Sequence, residues 1–188
     1  MSHSAKSFAM GYGGLGGGFG IPQPTRPRIF TSYHHRGDQQ YCEMFSNAFH
    51  DNYETIYDNS LERQIDSDDV DYVMRKIREN YITGTSCTIV LVGYETWGRK
   101  YVDWEIKATL DKQHGLIGVH LPTAPRTAEG KILVPPRLHD NIHSGFALWR
   151  SWQEITSSAE QLRQYIADAS SRSPFLIANT RELRLRNA

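Results

Sequence analysis

TGTSCTIVLVGYETWGRKYVDWEIKATL, residues 83–110, is the stretch from which the fold of this chain is read. Gly84 signals a turn, and CTIVLV at 87–92 is an unbroken apolar and β-branched run. A strand with no polar alternation is buried on both faces, as at the centre of a parallel sheet. Gly93 ends the run and 94–98 is a short loop. Val102, Ile106 and Leu110 then recur at helical spacing, with Thr109 and Gln113 beside them. In open α/β sheets ligands lie off the carboxyl ends of the strands, among loops of this kind. Glu105 precedes the core residue Ile106, so its carboxylate borders the buried face and can turn into such a crevice. The spacing equally suits a solvated flank residue.

Composition narrows the class. A chain of 188 residues suits one domain with tails. Lys+Arg and Asp+Glu are both 21, so bulk charge draws the protein to neither nucleic acid nor membrane. No apolar run approaches the ~20 residues of a membrane span, and the glycine-rich start has no signal-peptide core. Cys42 and Cys87 are the two cysteines, too few for a disulfide framework; they read as free thiols of a cytoplasmic protein.

Upstream of the central strand, 1–27 reads as a flexible tail, with seven glycines in 11–20 and three prolines in 21–27. GYGGLG at 11–16 has the letters of a dinucleotide fingerprint but lacks the strand before and the helix after that would give it meaning. RIFTSY at 28–33 is the first expected strand and 34–37 a loop. Asp38 is the expected N-cap of a helix carrying Tyr41, Phe45, Ala48 and Phe49. A strand entering a helix through a polar loop is a natural seat for phosphate. His34 and His35 remain open between solvated loop residues and site residues. No metal is expected there, since no Cys or carboxylate stands at ligand spacing. YETIYD at 53–58 alternates as a short strand, and Asp58 at its end is either a turn residue or a crevice carboxylate. A helix over 67–81 follows the loop 59–67. Ser67 is its cap, Asp68 and Asp69 lie in its first turn, and Arg75, Lys76 and Arg78 come late.

Downstream of the Glu105 helix, expected over 99–113, GLIGVHL at 115–121 is the next strand. The loop 122–136, with four prolines, reads as a surface insertion. An edge strand is expected near 146–149. SSAE at 157–160 has the pattern of a capping box before a helix carrying Leu162, Tyr165, Ile166 and Ala169. Residues 170–188 are basic, with 175–177 as docking residues. Arg99 and Lys100 oppose the dipole at their helix start, and are either solvated or placed to draw an anion. Trp97 and Trp104 are either core aromatics or a stacking surface for a base.

Strands alternating with helices predict an α/β protein: a mostly parallel, flavodoxin-like sheet with helices on both faces. Within it LVGYETWGRKYVDWEI, 91–106, resembles the third strand and following helix of TIR-like domains. It is most similar to the TIR-like proteins of Thoeris anti-phage defence, the ThsB type. In that family an aromatic residue, a valine, two variable positions, a glutamate and an isoleucine mark the NAD-cleaving carboxylate, and YVDWEI at 101–106 fits each position. The resemblance covers about 28–166 and is strongest over 77–122. It divides the chain into a tail at 1–27, a TIR-like domain at 28–170 and a C-terminal tail at 171–188.

The resemblance implies that Glu105 is catalytic and that Ser32, Tyr33, His34, Asp58 and Trp104 bind the substrate NAD+. No cofactor is implied beyond that substrate. The loop 59–67 becomes the counterpart of the BB loop, which borders the site and can assemble a homo-oligomer. The implied activity is NAD+ nucleosidase or ADP-ribosyl cyclase chemistry yielding a signal nucleotide, with a signal-activated effector protein as functional partner. A non-catalytic TIR-like adaptor is the rival reading. A receiver domain would need acidic residues at the ends of the first and third strands, where IFTS at 29–32 and VLVG at 90–93 supply none. A flavin carrier would need a phosphate loop after its first strand.

Overall fold

The computed structural model describes residues 26–57 and 69–188. Five parallel strands form one sheet in the order β2-β1-β3-β4-β5: β1 Arg28–Ser32, β2 Glu54–Tyr57, β3 Cys87–Val92, β4 Gly115–His120 and β5 Leu148–Ser151. This is the flavodoxin-like order expected from the alternation. Strand β3 is central, pairing Ile89 with Thr31 on one side and Ile117 on the other, and all six of its residues are buried. Its alternate residues serve opposite faces. Cys87, Ile89 and Leu91 pack under α1 (His35–Phe49) and α6 (Ala159–Ser170). Val90 and Val92 pack under α3 (Lys100–Asp111) and α4 (Pro136–His143), and α2 (Val70–Ile77) covers Phe30 beside them. Burial of each Val, Leu or Ile stabilises by about 1.5–3 kcal/mol, so this strand is a main source of stability.

Local chemistry differs from expectation at several places. Asp38 does not cap α1. The helix starts at His35, and Asp38 is buried in its first turn, where Thr96 from the loop after β3 hydrogen-bonds to it. Asp69 caps α2 by accepting from the Tyr72 N–H, while Ser67 lies outside the described residues, as do Asp58, the loop 59–67 and the glycine-rich tail. Helix α2 continues as a π-helical turn over Arg78–Ile82, and Gly84, at φ +85°, turns the chain into β3.

The capping box sits one element earlier than expected. Ser151 and Glu154 exchange hydrogen bonds at the start of a short helix, α5 (Trp152–Ile155), and Ser158 alone caps α6. Directly after the expected loop, where the residue pattern assigned no element, 136–143 forms α4, begun by Pro136 at its first turn and held inside by Leu138 and Asn141. The edge strand expected near 146–149 falls at Leu148–Ser151. Of the expected docking residues at 175–177, Phe175 is 100% exposed and Leu176 is also exposed; only Ile177 packs on the core. Among the described residues no helix is long and apolar enough to cross a membrane.

Candidate functional site

The order of strand addition reverses between β1 and β3. From β1 the chain turns into α1 on one face; from β3 it turns into α3 on the other. The crevice off the carboxyl ends of these two strands is the topological switch point, where ligands of such sheets bind. A cleft of about 670 Å³ opens there, lined by the start of α1 (His34, Arg36, Gly37), the β3–α3 loop (Tyr94, Glu95, Arg99) and the start of α3 (Lys100, Tyr101). Asn187 completes the described lining. Among the described lining residues three cations stand against one carboxylate, a balance that favours an anionic occupant.

Beneath it lies Glu105. One turn of α3 separates it from Tyr101, and its Oε2 accepts a 2.6 Å hydrogen bond from Ser32 Oγ, the last residue of β1. Glu105 is 5% exposed, and Ser32 is buried. The strand pleat explains the pairing: Phe30 and Ser32 share the face under α2 and α3, so the hydroxyl turns toward the helix that carries the glutamate. Tyr33, next along, turns the other way into the α1 side of the core, its hydroxyl 3.4 Å from His35 Nδ1. His34 is buried in the cleft wall, with Nε2 2.9 Å from Glu95 Oε2, and Glu95 also pairs with Arg99. Trp104 is buried beside Leu183 and Val73, and its Nε1 donates to the Arg184 carbonyl at 2.8 Å. Thus the structure joins Ser32 to Glu105, sets His34 in the cleft wall against Glu95, and leaves Tyr33 and Trp104 in core packing. Asp58 is outside the described residues.

Sequence reading overlooked a clamp across the crevice. Thr96 Oγ1 donates to Asp38 Oδ2 at 2.7 Å and accepts from the Gly93 N–H at 2.9 Å, tying the first turn of α1 to the β3–α3 loop. Only glycine fits at 93, since a Cβ there would lie 1.8 Å from Asp38 Oδ1. Burial raises the Asp38 carboxyl above its ordinary range, opposed by the Thr96 hydrogen bond and by His34. The strand-ending Gly93 was the one available signal; the partners of Asp38 are 55 or more positions away and leave no local pattern. Among the described residues no group of three or more His, Cys, Asp or Glu side chains is placed to hold a metal ion.

One comparison with known families bears on this site. The family described as Thoeris protein ThsB, TIR-like domain, matches residues 30–126, just over half of the chain. The matched stretch contains Ser32, His34, the Asp38–Thr96 clamp and Glu105. No curated protein matches the sequence.

Proposed function

Since the chain belongs to the Thoeris ThsB TIR-like family, we propose that it cleaves the nicotinamide–ribose bond of NAD+ and makes an ADP-ribose-derived signal nucleotide in anti-phage defence. The observation that carries this reading is the Glu105 carboxylate, held by Ser32 at the switch point of the sheet below a cation-lined cleft.

The chemistry asks little of the protein. The nicotinamide ring is cationic in NAD+ and leaves neutral, taking the electron pair of the C1′–N bond, so no general acid is required. What remains is the positive charge that develops on the ribose. A single carboxylate beside it stabilises an oxocarbenium-like transition state, where a glycosidase needs a second carboxyl group to protonate its leaving oxygen. Ser32 orients that carboxylate, and Arg36, Arg99 and Lys100 offer charge to the diphosphate. Attack by water on C1′ gives ADP-ribose and a proton; attack by a nucleophile within the same dinucleotide gives a cyclic isomer, the product we favour for a signal. A separate effector protein would read that signal, and the cytoplasm, where NAD+ is abundant, would be its setting.

The rival reading, a non-catalytic adaptor, draws on one observation: Glu105 is 5% exposed and is not itself among the described lining of the cleft. Wild type and Glu105→Gln incubated with NAD+, with products separated and weighed by mass spectrometry, decide between them. Nicotinamide release by wild type and not by the Gln variant is expected. A second product of NAD+ mass less nicotinamide means cyclisation, and one water more means hydrolysis. Equal release by both proteins, or none by either in buffer and in lysate of infected cells, overturns the enzymatic reading.

A further inference from the structure

Residues 178–188 form a strap that runs back along α3 from its end to its start. Asn179 Nδ2 donates to Asp111 Oδ1 at 2.8 Å, and the Arg184 carbonyl accepts from Trp104, one turn from the helix start. Ala188 N donates to the Gly98 carbonyl at 3.0 Å, ahead of the helix. The middle of the strap is fixed to buried groups. Arg137, wholly buried on α4, binds Asp103 of α3 through Nε at 2.9 Å and Nη2 at 3.2 Å, and also donates to Asn179 Oδ1 and the Glu182 carbonyl. Asp103 Oδ2 further accepts from the Arg184 N–H at 2.9 Å.

This anchoring delivers Asn187 to the wall of the 670 Å³ cleft. Its Oδ1 accepts from the Lys100 N–H at 2.9 Å, which fixes the orientation of the amide. The Nδ2 donors have no partner among the described residues. The other described lining residues lie within the family-matched stretch; Asn187 comes from beyond it. We propose that Asn187 is a specificity-determining contact of the cleft, donating through Nδ2 to an anionic oxygen of the bound dinucleotide, with the strap as the device that places it. The proposal rests on the NAD+ reading above.

Asn187→Asp separates this role from a structural one. Aspartate keeps the size and the acceptor for Lys100 N–H, and a carboxylate at a helix start is at least as good a cap as asparagine. A merely structural Asn187 therefore predicts an unchanged or raised melting temperature and unchanged affinity. A ligand contact predicts the same melting behaviour with weaker binding, because a donor is replaced by a charge that repels the diphosphate. NAD+ titrated calorimetrically into full-length Glu105→Gln, with and without Asn187→Asp, reads affinity without turnover. The expected result is a loss of about tenfold or more, the scale of one hydrogen bond to a charged group. In the otherwise wild-type chain KM should rise by a similar factor while kcat stays within about twofold. Equal affinity in the two titrations overturns the proposal and leaves the NAD+ reading standing. Absence of both NAD+ binding and cleavage by the protein with Asn187 intact overturns that reading, and the proposal with it.

Discussion

Ser32 and Glu105, 73 positions apart, meet in a 2.6 Å hydrogen bond that joins the last residue of β1 to the middle of α3. The serine donates, so the bond is strongest to the ionised carboxylate. Ser32→Ala should therefore cost about 1–3 kcal/mol in stability and lower kcat for NAD+ by about tenfold or more. Denaturant unfolding and steady-state kinetics on the same preparation check both. A variant with full activity would remove Ser32 from the site.

The clamp between Asp38 and Thr96 sets a pH dependence. Burial raises the Asp38 pKa above 3.8, and the groups around it act in both directions: the Thr96 hydroxyl and His34 lower it, Glu95 raises it. With the folded pKa above the unfolded one, the native state holds the proton more tightly. This group's contribution to stability is therefore most favourable at low pH and is lost as pH rises from the unfolded pKa through the folded one. Above the folded pKa its buried charge is a full penalty. Asp38→Asn should remove that dependence, so the variant gains on wild type as pH rises from below 4 to 7. Urea unfolding across this range tests it; a difference that is constant with pH would place no titrating charge at Asp38.

Asp103 and Arg137 are a buried ion pair, 5% and 0% exposed in their side chains, that secures both α3 and the strap. Removing one partner strands the other charge. Asp103→Ala and Arg137→Ala should each destabilise by about 3–5 kcal/mol, and the double variant by much less than their sum. Thermal and denaturant unfolding of the four proteins gives the coupling directly.

Both thiols are buried and free. Burial pushes Cys42 up to about 12 and Cys87 up further still. Since the thiolate is the reactive form, a thiol-exchange reagent at pH 8 should label neither cysteine in the native protein and both in denaturant. Fast labelling of Cys42 in native protein would mean that α1 opens readily from the sheet.

The order of these elements was legible from residue pattern because burial acts locally. A strand covered on both faces has to be apolar throughout, as 87–92 is, and a helix with one buried side has to repeat its apolar residues, as Val102, Ile106 and Leu110 do. Helix α4 escaped because its stabilising groups, Arg137 and Asn141, are polar side chains whose partners lie near residues 103 and 178–182. Trp104 shows the same limit. Composition left Trp104 open between core and stacking surface, and its surroundings, Leu183 and the Arg184 carbonyl included, place it in the core.

What the amino-acid sequence determined by itself is the strand–helix alternation, the parallel sheet and the position of Glu105 on the helix after the central strand. Tertiary structure alone decided which groups meet that carboxylate and what walls the cleft above it. Ser32 lies 73 positions from Glu105, Asp38 lies 58 from Thr96, and Asn187 lies 87 from Lys100. Periodicity records only which side of an element is buried, whereas hydrogen bonds between distant elements depend on register and on where the chain returns, and neither leaves a local trace.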